Sequence, residues 1–198
     1  MNQNIADLVY AATMLKLISR SGYAFLGTGH ESVAEHSFGA TFIGLVLAHA
    51  ANIAPDRVVL LCLIHDLHEA ATGDFNYVNH RYDRCDAQRA IADMCGQSGL
   101  GELLQSVYAE FCGRESFEAQ LANDADQLDF ICSLRREEDK GNPSATKWLK
   151  TAVLRVRTDV GKQLCDAVMQ TNPQHWWYDQ VDESWWINRD KGDGENGK

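Results

Sequence analysis

The sequence predicts an all-α fold organised as a single domain, and three observations predict it. Only three prolines interrupt 198 residues. Apolar residues recur three and four apart along most of the chain, while the alternation expected of strands is hard to find. No internal repeat and no linker-like change of composition divides the chain, whose length suits one sizeable core.

The elements follow in order. Residues 4–19 place Ile5, Leu8, Val9, Ala12, Leu15 and Leu17 at helical spacing. The turn-rich stretch SRSGYAFLGTGHES comes next, with Gly22, Gly27 and Gly29. Ser32 stands three residues before Glu35, a capping box that opens a helix running to about Asn52. Pro55 and Asp56 start the next helix, expected to continue to about Thr72 and to stop before Gly73. Residues 81–95 and 100–112 read as two shorter amphipathic helices. One long helix is expected from Ser116 to Gly141-Asn142, and after Pro143 a second, over 144–170. NPQHWWYDQ begins a terminal segment whose Trp pair is expected to pack on the body, and RDKGDGENGK is Gly-rich and charged, as disordered tails are. The expected division is a domain over 1–185 and a tail over 186–198.

Hydrophobic residues make up 45% and charged residues 23%, a soluble globular composition. A net charge of -10 argues against a general binder of nucleic-acid polymers, which needs a basic surface. The cysteines at 62, 85, 95, 112, 132 and 165 form no CxxC pair, and several lie in apolar helical patterns such as LLCLI and FICSL. That pattern suits reduced, buried thiols in a cytoplasmic protein. MNQNIADLVY has no basic region followed by an apolar run, so no signal peptide is read there. No uncharged apolar stretch reaches the roughly 18 residues that span a membrane.

Against this background, LIHDLHEAATGD (63–74) is anomalous, because it admits His65, Asp66, His68 and Glu69 into an apolar helix. The i,i+3 and i,i+4 spacings put His65, Asp66 and Glu69 on neighbouring ridges, and Leu61 shares the face of His65. Charged groups on an inward face need compensation, which a metal ion supplies. His36 leads Ala40, Ile43 and Leu47 along one face of its helix and is expected to point inward too. In LANDADQLDF, Asp126 shares a face with Ala122 and Phe130, whereas Asp124 and Asp129 are read as lying on a solvated helix edge. Two His and two Asp from three helices make a mixed N/O donor set for a divalent ion such as Mn, Co, Fe, Ni, Mg or Zn, with positions left for water and substrate. His49 reads as a surface or capping residue. His30 and His80 border the expected pocket in loops, Arg135 and Arg136 read as solvated charges, and the tryptophans read as packing or dimer contacts.

The order His36, His65-Asp66, Asp126, set in ESVAEHS, HDLHEAATGD and DADQL, resembles the HD-domain metal-dependent phosphohydrolases. The likeness extends to Arg20 after LKLIS and to EEDKGN, and so covers residues 8 to 145; within the superfamily it is strongest to the 5′-deoxynucleotidase-like branch. The resemblance implies an HD-domain helical bundle and hydrolysis of (deoxy)nucleoside 5′-monophosphates. It implies His36, His65, Asp66 and Asp126 as metal ligands, Glu69 as the acid/base group and Asp74 as the residue that orients sugar or attacking water. It further implies Arg20 on the phosphate, Tyr23 at the sugar pocket, and a homodimer, while His68, beside the ligands, reads as bonding the phosphate or a ligand. Triphosphates or other phosphoesters, and nucleotide binding without catalysis, are the alternatives. Two departures stand out. Bacterial members carry Trp directly after the Arg, where this chain has Ser21-Gly22-Tyr23, so Tyr23 takes the aromatic position. A Lys common before the last ligand motif is Asn123 here.

Overall fold

The computed structural model describes residues 3–188. The described residues fold into eleven α-helices: α1 (Gln3–Met14), α2 (Tyr23–Leu26), α3 (Val33–Ala50), α4 (Asp56–Ile64), α5 (Glu69–Thr72), α6 (Ala87–Cys95), α7 (Gly101–Gly113), α8 (Phe117–Asp139), α9 (Pro143–Ala152), α10 (Asp159–Gln170) and α11 (Glu183–Asn188). Among them there is no strand, only an isolated antiparallel bridge between Ser19 and Ser32. No described helix is long and apolar enough to cross a membrane.

Helix α8 is the hub, packed on α3, α4, α7, α9 and α10. Its Leu121, Leu128, Ile131 and Leu134 are fully buried, each contributing roughly 1.5–3 kcal/mol of hydrophobic stabilisation. The same helix buries Asn123, Asp124, Asp129, Ser133 and Glu137. Buried polar groups cost stability unless they are paired, and each of these is. Asn123 Nδ2 donates to the Phe111 and Ala119 carbonyls, both at 2.9 Å. Ser133 Oγ donates to Glu31 at 3.3 Å, and Glu137 accepts from Lys140 at 2.7 Å.

Asp124 corrects its expected place on a solvated edge: it is 1% exposed. The reason is a break in the helix expected over 144–170. After α9 a short 3₁₀ turn leads into extended backbone at Val156 (φ -69°, ψ 127°) and Thr158 (φ -72°, ψ 155°). Asp124 receives the backbone N–H groups freed there, from Arg157 at 2.7 Å and Thr158 at 2.8 Å, and the Thr158 hydroxyl at 2.6 Å. Thr158 in turn caps α10 by accepting from the Gly161 N–H at 3.0 Å. A Cβ at position 161 would come within 2.4 Å of Asp124 Oδ2, so this approach requires glycine.

Two other differences place the site. Helix α1 ends at Met14, five residues early. The chain then runs beside the start of α3, with Arg20 N–H donating to the Glu31 carbonyl and Val33 N–H to the Ile18 carbonyl, both at 2.9 Å. Arg20 is thereby brought next to the helix that carries His36. The capping box of α3 is formed: Ser32 Oγ accepts from the Glu35 N–H at 3.2 Å, and the Glu35 carboxylate from the Ser32 N–H at 2.6 Å. Helix α6 begins only at Ala87, where Asp86 caps it by accepting from the Arg89 N–H at 3.1 Å.

In the terminal segment Trp177, Tyr178, Trp185 and Trp186 gather against one another, while Trp176 stays 77% exposed. Helix α11 runs past the expected domain end at 185, and residues 189–198 of the expected tail lie outside the described residues.

Candidate active site

The expected helix over 56–72 is interrupted where its polar residues sit. Helix α4 stops at Ile64, and the next turns are tighter: Leu67 N–H bonds the Ile64 carbonyl at 3.0 Å and Glu69 N–H the Asp66 carbonyl at 3.0 Å, the i→i+3 pattern of a 3₁₀ turn. The Cys62 carbonyl, which a continuing helix would give to the Asp66 N–H, instead accepts the His65 Nδ1–H at 2.7 Å. A side chain thus takes over a backbone bond and ends the helix.

His36 is held in the same way. Its Nδ1–H donates to Asp129 Oδ2 at 2.7 Å. With both Nδ1 positions engaged, the Nε2 atoms of His36 and His65 face each other at 3.2 Å. Asp66 Oδ2 lies 3.0 Å from His65 Nε2 and 3.6 Å from His36 Nε2, and Asp126 Oδ1 lies 3.1 Å from His36 Nε2. One donor atom from each of His36, His65 and Asp126 falls within 4.8 Å of the others. These separations are those of neighbouring ligands around one ion with bonds of about 2.1 Å.

The electrostatics agree with that fit. Burial and Arg20 work to lower the His36 pKa, but hydrogen bonds to Asp126 and Asp129 overcome them and push it up to about 10. Burial opposes the charge on His65 as well, yet Asp66 raises its pKa. Burial also disfavours the charged carboxylates of Asp66 and Asp126; the imidazoles reverse this and hold both below the usual range. The neighbouring acids thus draw positive charge toward both buried imidazoles. A divalent cation answers the same demand, and the donor set fits one.

Beside this cluster lies a cavity of about 210 Å³, lined by Arg20, Tyr23, His36, Asp66, Glu69, Asp74 and Asp126 among others. The Arg20 guanidinium sits 6.0 Å from the centre of the Phe130 ring and 3.9 Å from Glu31. Burial opposes its charge, but Asp66 and Asp126 raise its pKa. Its Nη1 is buried with no hydrogen-bond partner among the described residues, and so is Oε2 of Glu69. Burial, with Asp66 and Asp74 adding, pushes the Glu69 carboxyl up to about 9. Asp74 Oδ2 accepts from the Ser21 N–H at 2.6 Å and from the Ser21 hydroxyl. Ser21 therefore stitches the loop after α5 to the loop that presents Arg20. Tyr23 lines the cavity and donates to Glu31 at 3.3 Å; burial pushes its phenol up to about 12. His68 does not line this cavity. Its ring packs 5.2 Å from Tyr108 and borders another cleft with Asp66 and Glu69, where burial lowers its pKa.

Asp129, like Asp124, departs from its expected place on a solvated edge. It is 9% exposed rather than on a solvated edge, because its partner is an inward-facing imidazole on another helix. A signal existed in the matched spacing of His36 with Gly39 and Asp126 with Asp129. A Cβ at position 39 would lie 1.9 Å from Asp129 Oδ1, so the glycine lets the carboxylate reach α3. Glu31, inside the motif ESVAEHS, was likewise given no role, yet it joins Arg20, Tyr23 and Ser133.

Fold and site together define the class: a helical protein that gathers two imidazoles and the Asp126 carboxylate about one point, with the Asp66 carboxylate against both imidazoles and an arginine alongside. The chain belongs to the HD domain family, whose family model matches residues 12–168. It is 26% identical to the 5′-deoxynucleotidase HDDC2 of Danio rerio over 149 residues, 71% of this chain and 73% of that protein. It is 28% identical to a 5′-deoxynucleotidase of Pasteurella multocida over 116 residues, 52% of this chain and 58% of that protein. In structure it resembles a Pyrococcus horikoshii OT3 protein, with a TM-score of 0.68 and 28% identity over 83% of this chain and 96% of that one.

Proposed function

We propose that the protein is a metal-dependent phosphomonoesterase that hydrolyses (deoxy)nucleoside 5′-monophosphates to nucleoside and inorganic phosphate. The observation that carries this reading is the meeting, in one cavity, of the imidazole–carboxylate set with two buried, unpartnered polar atoms, Arg20 Nη1 and Glu69 Oε2. The names of the two curated relatives point the same way.

In this reading His36, His65, Asp66 and Asp126 hold the ion, and Asp129 and the Cys62 carbonyl orient the two imidazoles. The ion, when bound, supplies Lewis acidity toward a phosphoryl oxygen and lowers the pKa of coordinated solvent. Mixed N/O donors accept Mn, Co, Fe, Ni, Mg or Zn. The Arg20 guanidinium takes the phosphate through Nη1, which no protein group uses. Glu69, one turn from the ligands, moves a proton to the leaving 5′-oxygen as its bond to phosphorus breaks. Asp74 orients the sugar or attacking water with the carboxylate that Ser21 anchors, and Tyr23 shapes the sugar pocket. His68 acts from the adjoining cleft. The free cysteines suit the reducing cytoplasm, and a homodimer is the assembly we expect.

The test is phosphate release from manganese- or cobalt-loaded protein against a panel of nucleoside mono-, di- and triphosphates. Monophosphates are expected to yield nucleoside and orthophosphate. Pyrophosphate or triphosphate as product, or nucleotide binding without turnover across the panel, overturns the reading.

A further inference from the structure

The cavity changes chemistry along its length. Its polar end holds Arg20 and the ligand cluster, and its other end is aromatic. Phe130 lies on α8 four residues after Asp126, so both occupy one ridge of the helix. The Arg20 guanidinium stands 6.0 Å from the Phe130 ring centre, and the Trp148 ring of α9 stands 6.3 Å beyond, tilted by 42°. Tyr77, Phe130 and Trp148 also line a contiguous cleft of about 160 Å³, closed by Thr151 and Arg155.

From this geometry we infer that the aromatic end is a nucleobase subsite, with Trp148, Phe130 and Tyr77 as its walls. The inference rests on the nucleotidase reading and adds the part of the substrate that reading leaves unplaced. Tyr77 belongs to the loop after Asp74 and is 59% exposed. Arg155, at the cleft's edge, fixes its ring, with Cζ 4.6 Å from the ring centre and Nη1 donating to the phenol oxygen. The Gln127 amide and the Tyr77 phenol oxygen beside these walls are already engaged. Gln127 Nε2 donates to Asp126 at 2.8 Å, and Gln127 Oε1 accepts from Arg155 at 3.4 Å. What the three walls chiefly offer a ligand is ring faces. Ring faces bind any base by stacking, and a larger base gains more. The subsite therefore accepts all four bases and favours purines over pyrimidines.

The test compares kcat/KM of the manganese-loaded protein for dAMP, dCMP and base-free 2-deoxyribose 5-phosphate. Wild type should prefer dAMP to dCMP, and both to the base-free ester. Trp148→Ala and Tyr77→Ala should lower kcat/KM for dAMP by roughly ten- to a hundredfold, mainly through KM, with a much smaller loss on 2-deoxyribose 5-phosphate. Trp148 packs against the core, so the exposed Tyr77 supplies the variant that keeps the fold. Equal losses on both esters, or no loss on dAMP with Tyr77→Ala, overturn the subsite. If wild type turns over none of the three, the nucleotidase reading fails; dAMP affinity measured by calorimetry then decides the subsite, upheld if Tyr77→Ala weakens it and overturned if it does not.

Discussion

Gly39→Ala adds one methyl group and tests the bond that orients His36. The new Cβ would lie 1.9 Å from Asp129 Oδ1 and 2.7 Å from its Cγ, so the carboxylate must withdraw from the 2.7 Å bond to His36 Nδ1. In an ordinary mid-helix position this substitution stabilises by about 1 kcal/mol. Here it meets an overpacking cost of about 1–3 kcal/mol and the loss of a buried, charge-assisted hydrogen bond worth about 1.5–3 kcal/mol. The net expectation is destabilisation by roughly 1.5–5 kcal/mol, opposite in sign to helix propensity alone. Urea unfolding of the metal-free protein reads the stability. Manganese titration followed by electron paramagnetic resonance reads the site, where affinity should fall about 10- to 100-fold as His36 loses its anchor. The double variant Gly39→Ala/Asp129→Ala removes the clash and should regain part of the stability but none of the affinity. A single variant as stable as wild type, with unchanged manganese affinity, would refute the claim that Asp129 holds His36.

Three further outcomes are expected. Glu69→Gln should reduce kcat by about 10²- to 10⁴-fold while manganese affinity and the urea midpoint stay at wild-type values; near-normal turnover removes Glu69 from proton transfer. Asp124→Ala strips the acceptor from two backbone N–H groups and the Thr158 hydroxyl and should cost about 3–5 kcal/mol in urea unfolding, a loss below about 1 kcal/mol being incompatible with the capping described. Burial, with Asp129 adding, pushes the Cys132 thiol from 9.0 up to about 11. The unfolded thiol releases its proton near pH 9 and the folded one only near pH 11, so its contribution is complete below pH 9 and lost as pH rises toward 11. Cys132→Ala should flatten that stretch of the alkaline stability curve, and a wild-type-to-variant difference independent of pH would contradict it.

The sequence was most legible where local rules coincide with tertiary ones. The capping box at Ser32 and Glu35 formed as written, and the inward faces of His36, His65 and Asp126 followed from helical spacing. It was least legible where a side chain from a distant element overrode the local pattern. Residues 144–170 keep helical periodicity throughout, yet Asp124, more than thirty positions earlier, collects the N–H groups at 157 and 158 and favours the break. Residues 56–72 read as one helix because periodicity does not register that the His65 ring competes for the Cys62 carbonyl. Asp124 and Asp129 were assigned to solvent for a related reason: a lone carboxylate in a helix is usually solvated, and the partners that bury these two lie on other elements.

Helix α8 acts as a camshaft. Along its 23 residues it times the fastening of α10 through Asp124, the approach of Asp126 to the His36 imidazole, the setting of that imidazole through Asp129 and the grip on Glu31 through Ser133. Each helical residue advances the rotation by about 100°, so inserting a single residue anywhere among these lobes would throw every later one out of phase. The candidate site and the packed core around it cannot drift apart, because both are cut into the same shaft.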